Sequence, residues 1–185
     1  MPSVTVVRTY LEQRTPEALR PALSSNPALR LGRADPNDVS LFRELYRDVG
    51  GAYNWRDRNA LSDEQLRAHF RSAGVEVWVL YYEQQPAGFF ELQRHGDGSV
   101  EIVYFGLTAA FFGRGLGKHL LTRAAESAWA LGANRVWLHT CTLDSPAALP
   151  NYLARGFAPY RTETYEAAVP GLDVLNAPAP NAEGD

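Results

Sequence analysis

The chain has 185 residues and a formal net charge of −3, which fits one domain with a sizeable core and disfavours a nucleic-acid interface, because such surfaces carry excess positive charge. A single cysteine, Cys141, excludes an internal disulfide and fits a reducing compartment. No apolar stretch is long enough to span a bilayer and the first residues do not resemble a signal peptide, so we expect a soluble cytoplasmic protein.

The first half of the sequence predicts two strands and two helices. β-Branched and aromatic residues favour strands over 4–11 and 29–32. The acidic cluster Asp35-Pro36-Asn37-Asp38 is typical of a helix start, and the spacing of the apolar residues after it predicts a helix that ends at Val49-Gly50-Gly51. A second helix is expected over 62–70.

The second half predicts five strands, one long helix and one short helix. The strands are expected at 75–82, 87–94, 99–107, 135–142 and 157–165. An amphipathic pattern predicts the long helix over 116–131, and Asp144-Ser145-Pro146 predicts a short helical segment that ends at Gly156. Residues 1–168 are therefore expected to form one domain, and the segment 169–185, rich in Pro, Ala and acidic residues, is expected to be a mobile tail.

The junction between strand 99–107 and the long helix carries the most informative motif, Phe112-Gly113-Arg114-Gly115-Leu116-Gly117-Lys118. Its three alternate glycines expose main-chain N–H groups at the start of a helix, where the helix dipole is positive. Such a junction binds phosphate or pyrophosphate. For the loop taken alone, the alternative is a tight turn that binds no ligand.

Two common nucleotide-binding motifs do not fit this loop. A P-loop requires a glycine where Phe112 stands and a Ser or Thr hydroxyl where His119 stands. A dinucleotide-binding fingerprint needs its third glycine one residue after Gly117, within a βαβ unit. The sequence therefore disfavours a nucleotide-binding protein of P-loop type, which would show magnesium-dependent binding of ATP.

The segment Glu101–Leu121, followed by Tyr152-Leu153-Ala154-Arg155-Gly156-Phe157, resembles the GNAT superfamily of acetyl-CoA-dependent N-acetyltransferases. The pyrophosphate loop of that family, Arg/Gln-x-x-Gly-x-Gly/Ala, is matched at Gly115 and Gly117, and its Tyr-x-x-x-Gly-Phe signature is matched in the second segment. The resemblance implies a mixed α/β (α+β) fold, with a central, partly splayed, mainly antiparallel sheet flanked by helices.

Three residues depart from the family pattern. Phe112 stands where the family usually has Arg or Gln, so main-chain N–H groups must contribute more to phosphate binding. Ser145 stands where many members have Asn. Pro150 falls inside the expected short helix, where it should kink or shorten the helix.

The resemblance also implies where acetyl-CoA, the co-substrate, binds. The coenzyme would lie between the splayed strands 99–107 and 135–142, with its diphosphate on the glycine-rich loop. The residues implied at this site are Phe105, Gly106, Leu107, Phe112, Gly113, Arg114, Gly115, Leu116, Gly117, Lys118 and Asn151. No metal is expected, because the spacing of His and Cys supports no zinc site.

Glu101 is the candidate general base, because it is the only formal charge in an apolar strand and burial would raise its pKa. It also matches the strand glutamate that serves as base in the histone acetyltransferase-like members. The alternative is an exposed position at the start of the strand, and Glu91 on the neighbouring strand is a second candidate base. Tyr152 is the candidate acid, since the family tyrosine lies near the coenzyme sulfur; the alternative is a core tyrosine.

The connector after the first helix is expected to form much of the acceptor pocket. The residues expected there are Tyr53, Asn54, Trp55 and Arg58, with Glu91 from strand 87–94. An aromatic wall with one arginine suits a small amine that also bears a carboxylate. His139 could orient the substrate or form hydrogen bonds within the fold, and Cys141 is a weak candidate nucleophile; we favour a structural role for both.

These features predict an enzyme that moves an acetyl group from acetyl-CoA to a primary amine of a small molecule or peptide by direct attack. The alternative is a non-catalytic module that binds or senses acyl-CoA. Neither nucleic acid nor membrane is expected as a partner, and we expect a monomer or a homodimer.

Overall fold

The computed structural model describes residues 3–53 and 55–168. Within them, seven strands form one sheet: β1 (Ser3–Gln13), β2 (Leu29–Arg33), β3 (Val75–Tyr82), β4 (Gln85–Arg94), β5 (Ser99–Leu107), β6 (Arg135–Cys141) and β7 (Ala158–Ala168). The α-helices of the described residues are α1 (Val39–Gly50), α2 (Asp63–Phe70), α3 (Leu116–Ala130) and α4 (Ala148–Ala154). Each predicted strand and each of the first three predicted helices is present, with small differences at the ends.

Side chains near the predicted starts cap the first two helices. The Asp38 carboxylate accepts a hydrogen bond of 3.1 Å from the Leu41 N–H at the start of α1. Ser62 and Gln65 form a reciprocal capping box at the start of α2. Both helices then bury their apolar side chains against β3 and β4.

The sheet has the strand order β2-β3-β4-β5-β6-β1-β7. Neighbouring strands are antiparallel except β5 and β6, which are parallel and pair only over residues 99–101 and 135–137. Beyond this short ladder the two strands separate, so the sheet opens toward their carboxyl ends. The prediction of a mainly antiparallel, partly splayed sheet flanked by helices is confirmed.

The N-terminal strand lies on the far side of this opening. β1 is inserted between β6 and β7 and pairs antiparallel with both. In these registers Arg8 stands opposite Cys141 on β6 and opposite Glu163 on β7. Residues from the start of the chain therefore border the space where β5 and β6 diverge.

Two apolar clusters hold helices against the two faces of the sheet. One packs α3 and Tyr152 of α4 against β4, β5 and β6, with Phe90, Leu120 and Leu138 almost fully buried. The other packs α1 and α2 against β3 and β4 through Phe42 and other buried residues. The two layers fix the start of α3 on one side of the opening and the connector after α1 on the other.

The start of the last helix corrects one prediction. The predicted opening at Asp144-Ser145-Pro146 is wrong: α4 begins at Ala148. The Asp144 carboxylate instead accepts hydrogen bonds from the Thr140 hydroxyl and the Cys141 N–H, which holds these residues in a turn after β6. Pro150 lies in the first turn of α4, where a missing N–H costs nothing because helices leave those donors unpaired.

Two predictions fall outside the described residues, namely Asn54 as an acceptor residue and 169–185 as a mobile tail. Among the residues that are described, no helix combines the length and the apolar character needed to cross a membrane.

Gly156→Ala is expected to destabilise the fold by at least about 2 kcal/mol, because a left-handed backbone already costs an L side chain 1–2 kcal/mol. Gly156 has φ +89°, and a Cβ there would lie 1.9 Å from the Ala18 carbonyl oxygen. Gly132→Ala is the matched control, since φ is +75° there and nothing lies within 4 Å of the added Cβ. Denaturant unfolding of both variants checks this, and equal losses would contradict the contact with Ala18.

Candidate active site

The separation of β5 and β6 forms a cleft of about 810 Å³. One wall consists of residues 102–107 of β5 and the connector after α1. The opposite wall contains His139 and Cys141 of β6, Arg8 of β1 and Tyr165 of β7. The glycine-rich loop, the start of α3 and the first part of α4 close one end.

The start of α3, with its uncapped main-chain N–H groups, borders this cleft. Gly115 is the N-cap residue, has φ +71° and provides no side-chain cap, and Gly113 has φ +74°. A left-handed backbone at both positions favours glycine. The residues of this loop and first turn that line the cleft are Phe112, Gly113, Gly115, Leu116, Gly117 and Lys118. The first turn can therefore bind an anionic group from within the cleft.

Two side chains of this loop, those of Phe112 and Arg114, have different surroundings. Phe112 is 52% exposed and lines the cleft. The Arg114 guanidinium lies over the rings of Phe111 and Tyr82, at 5.1 Å and 5.6 Å, and Arg114 is not among the residues that line the cleft. Arg114 can thus contribute its main-chain N–H to the loop, while its side chain packs against aromatic rings.

The cleft side of β5 offers an unpaired strand edge. From Ile102 to Leu107, β5 has no partner on the β6 side among the described residues. The β4–β5 register shifts so that Val103 is an extra residue on β5, a bulge that breaks the regular ladder beside the cleft. Such an edge can pair with an extended ligand that carries amide groups.

The α4 residues border the end of the cleft nearest α3. Asn151 Nδ2 donates a hydrogen bond of 3.2 Å to the Gly117 carbonyl, so α4 supports the first turn of α3. Tyr152 is only 7% exposed, packs its ring against Phe105 and Phe157, and lines the cleft. Burial raises the pKa of the Tyr152 phenol, and the Asp144 carboxylate raises it further. The Tyr152 phenol is therefore protonated near neutral pH.

Glu101 lies between two histidines at the point where β5 and β6 separate. Its Oε2 makes a hydrogen bond of 2.9 Å with His95 Nε2, and its Oε1 lies 4.0 Å from His139 Nε2. Burial raises the pKa of the Glu101 carboxyl, although the His95 hydrogen bond opposes this effect. Burial also lowers the pKa of His139, which lines the cleft while Glu101 does not.

Glu91 has a different environment. Its carboxylate is fully buried and accepts hydrogen bonds from Arg58 Nη2 at 2.6 Å and from His69 Nε2 at 2.7 Å. The Arg58 guanidinium also lies 5.1 Å from the centre of the Tyr104 ring. Neither Glu91 nor Arg58 lines the cleft. This ion pair holds the connector after α1 in place, and the Arg58 guanidinium and the Glu91 carboxylate are already paired with each other.

Comparison with known proteins decides the family. A sequence model of the acetyltransferase (GNAT) family matches residues 40–157, which is more than half of the chain. The chain belongs to the GNAT family. The matched region contains the glycine-rich loop, Glu101 and the tyrosine signature, so the resemblance read from those motifs is confirmed at the level of the family.

Individual relatives agree with this GNAT assignment. A mycothiol acetyltransferase from Corynebacterium efficiens is 31% identical over 112 residues, which cover 57% of this chain and 37% of that protein. This chain therefore spans little more than a third of that relative's length.

Two solved structures share the GNAT fold. A GCN5-related N-acetyltransferase from Kribbella flavida has a TM-score of 0.64 and 17% identity, and the match covers 94% of this chain and 62% of that chain. An aminoglycoside acetyltransferase from an uncultured soil metagenomic sample has a TM-score of 0.60 and 18% identity, covering 71% of this chain and 90% of that chain. At these identities the likeness concerns the fold alone.

The cleft lining differs from the set predicted for an acceptor pocket. Tyr53 and Trp55 line the cleft, whereas Arg58 and Glu91 do not. Sequence reasoning missed Arg8, Asp57, Tyr104 and Tyr165, and left open whether His139 orients the substrate or serves the fold; all five line the cleft. The Tyr104 hydroxyl donates to the Asp57 carboxylate at 3.3 Å. For Arg8, the only signal in the sequence was a charged residue within a predicted strand of mainly apolar and β-branched residues, and that signal is weak.

The described residues contain no group of three or more His, Cys, Asp or Glu side chains that could hold a metal ion.

Proposed function

We propose that this GNAT chain transfers an acetyl group from acetyl-CoA to a primary amine of a small molecule or peptide, by direct attack of the amine. The observation that supports this most strongly is that the start of α3, the unpaired edge of β5, Tyr152 and His139 all border one cleft. One cleft thus combines groups suited to binding the coenzyme with groups suited to proton transfer, which supports the proposal.

The residues around the first turn of α3 suit a diphosphate. The N–H groups of the turn have no side-chain cap, and the helix dipole favours negative charge at this end. Lys118, on the same turn, adds a positive charge beside them. The unpaired edge of β5 from Phe105 to Leu107 suits the amide-bearing arm of the coenzyme. Acetyl-CoA bound in this way supplies an acetyl thioester. The bulge at Val103 interrupts the β4–β5 ladder near the proposed position of that thioester.

The proton released by the attacking amine is proposed to reach Glu101. The carboxylate is 13% exposed, and its Oε1 lies 4.0 Å from Nε2 of His139, which lines the cleft. Burial raises the pKa of Glu101 toward the range useful for a general base, and lowers the pKa of His139, which keeps that imidazole neutral near pH 7. His95, which is partly exposed, contacts the other carboxylate oxygen and provides a route to solvent.

Tyr152→Phe is expected to lower kcat by about 10-fold, because the phenol is proposed to donate a proton to the departing thiolate. The effect is smaller than for the base, since a thiol with a pKa near 8.5 leaves without much help. The ring packing against Phe105 and Phe157 is kept, so the unfolding temperature should not change. Tyr160→Phe, on β7 and away from the cleft lining, is the control. An unchanged kcat in Tyr152→Phe would reject the proposed acid.

The proposed function is tested by thiol release from acetyl-CoA with a panel of amino acids, polyamines, aminoglycosides and peptides with free amino termini. We expect amine-dependent release of free thiol and an N-acetylated product detectable by mass spectrometry. Saturable acetyl-CoA binding without release for any amine would instead favour the non-catalytic acyl-CoA-binding module.

A further inference from the structure

We propose that Arg8 binds a carboxylate of the acceptor, so that the acceptor class is amines that carry a carboxylate some distance from the amino group. This inference rests on the proposed acetyl transfer and assigns the substrate class of the same cleft. The sequence suggested Arg58 as the residue that recognises an acceptor carboxylate, and the present proposal assigns that role to Arg8.

Arg8 has unused hydrogen-bonding capacity at the cleft. It lines the cleft from β1, and its Nη2 donates to the Tyr165 hydroxyl at 3.2 Å. Its Nε is buried and has no hydrogen-bond partner within residues 3–53 and 55–168. A guanidinium carries five donors in a planar fork that matches a carboxylate. The partners of the Arg8 guanidinium among the described residues are phenol groups, those of Tyr165 and Tyr10, so its positive charge is not matched by a carboxylate and can bind one from a ligand in the cleft.

The carboxylates nearest to Arg8 in the sheet are held by other groups. Glu163 stands opposite Arg8 on β7, but it accepts a hydrogen bond of 2.8 Å from the Tyr10 hydroxyl and pairs with Arg161. Asp144 accepts from the Thr140 hydroxyl and the Cys141 N–H. No ion pair of Arg8 occurs in the described part of the chain, whereas Arg58 forms a buried pair with Glu91.

The position of Arg8 relative to the proposed base sets the form of the acceptor. Glu101 is level with Trp137 on β6, while Arg8 is level with Cys141, four residues further along the same strand. Four residues of a strand span about 13 Å along the sheet. Burial is the main cause of the lowered pKa of His139, and the positive charge of Arg8 lowers it further. The two side chains are therefore close enough to interact electrostatically. An acceptor bound here reaches from an amine near His139 to a carboxylate near Arg8.

The test compares ε-aminocaproate with ε-aminocaproamide, and γ-aminobutyrate with its amide. In both pairs of compounds the carboxylate is too far from the amine to control the basicity of the amino group. A preference for the carboxylate over the amide therefore measures recognition of the carboxylate. Calorimetric binding and acetylation rates are measured for the wild type, Arg8→Gln, Arg8→Lys and Arg161→Gln. Arg161 is the control because it lies on the neighbouring strand, over the Tyr10 ring, and does not line the cleft. Unfolding temperatures check that each variant is folded.

We expect the wild type and Arg161→Gln to prefer the carboxylate over the amide by about 10- to 100-fold, the range for a hydrogen-bonded charge pair. Arg8→Gln should lose this preference, and Arg8→Lys should keep part of it, since a lysine keeps the charge and loses the fork. Equal preferences in the wild type and Arg8→Gln would overturn the inference. Carboxylate binding that depends on Arg8 without any acetyl transfer would support the inference and overturn only the proposed function.

Discussion

Glu101→Gln is expected to lower kcat by about 10²–10³-fold while acetyl-CoA binding stays unchanged. The substitution keeps the size of the side chain and removes the group that is proposed to accept the proton, and general base catalysis contributes roughly 10²–10⁴-fold. Acetyl-CoA affinity should not change, because Glu101 lies away from the glycine-rich loop and does not line the cleft. Steady-state kinetics and calorimetry on the same preparation check both parts.

The pH profile separates a proton-transfer role from a structural one. The base must be ionised, and burial raises the pKa of Glu101 above that of an ordinary glutamate. The wild-type kcat/KM should therefore fall as the pH drops through that raised pKa, at a higher pH than for an exposed carboxylate. This acid limb should be missing in Glu101→Gln. A variant with normal turnover, or with the same acid limb as the wild type, would reject Glu101 as the base.

Two further substitutions complete this comparison. Glu126→Gln, on the surface of α3 where the residue pairs with Arg123, should leave both stability and turnover unchanged. Glu91→Gln should instead lower the unfolding temperature, because it leaves the partly buried Arg58 guanidinium without its carboxylate. If Glu91→Gln were fully stable and inactive while Glu101→Gln remained active, Glu91 would be the base.

Gly115→Asp is expected to weaken acetyl-CoA binding by about 10- to 100-fold relative to Gly115→Asn, since a like charge a few ångströms from the diphosphate costs on the order of 1–4 kcal/mol. Asn and Asp both tolerate the left-handed backbone at φ +71°, and the added Cβ approaches only the flexible end of Lys118, at 3.3 Å. The two variants therefore differ mainly in charge.

Stability provides an independent readout for the same pair. A negative charge at the start of α3 interacts favourably with the helix dipole, so Gly115→Asp should be at least as stable as Gly115→Asn. Affinity and stability thus move in opposite directions, which a general disruption of the loop would not produce. Equal affinities for the two variants would contradict binding of the diphosphate at this helix start.

The sequence predicted those features of the fold that depend on residues close together in the chain. Period-two alternation and turn residues located the strands, and the Asp38 and Ser62 caps located the starts of α1 and α2. Alternate glycines marked a junction where the positive φ angles of Gly113 and Gly115 favour glycine. The start of α4 was misplaced, because Asp144-Ser145 has the composition of a helix cap but its carboxylate is used by Thr140 and Cys141 instead.

The remainder of the site depends on contacts between distant segments. Nothing local indicates that β1 inserts between β6 and β7, and without that order Arg8 could not be placed in the cleft. The pairing of Arg58 with Glu91 joins residues on different elements, so each was read as a free functional group. The bulge at Val103 arises from the β4–β5 register and leaves no mark in composition.

The most direct measurement is a calorimetric titration of the wild-type chain with acetyl-CoA and, separately, with S-acetylpantetheine, which lacks the diphosphate. The N–H groups at the start of α3 are the proposed diphosphate site. Saturable binding of acetyl-CoA is predicted, with binding of S-acetylpantetheine at least about 100-fold weaker, the effect of losing two hydrogen bonds to a charged group. No heat with acetyl-CoA, or equal affinity for the two thioesters, would contradict the account.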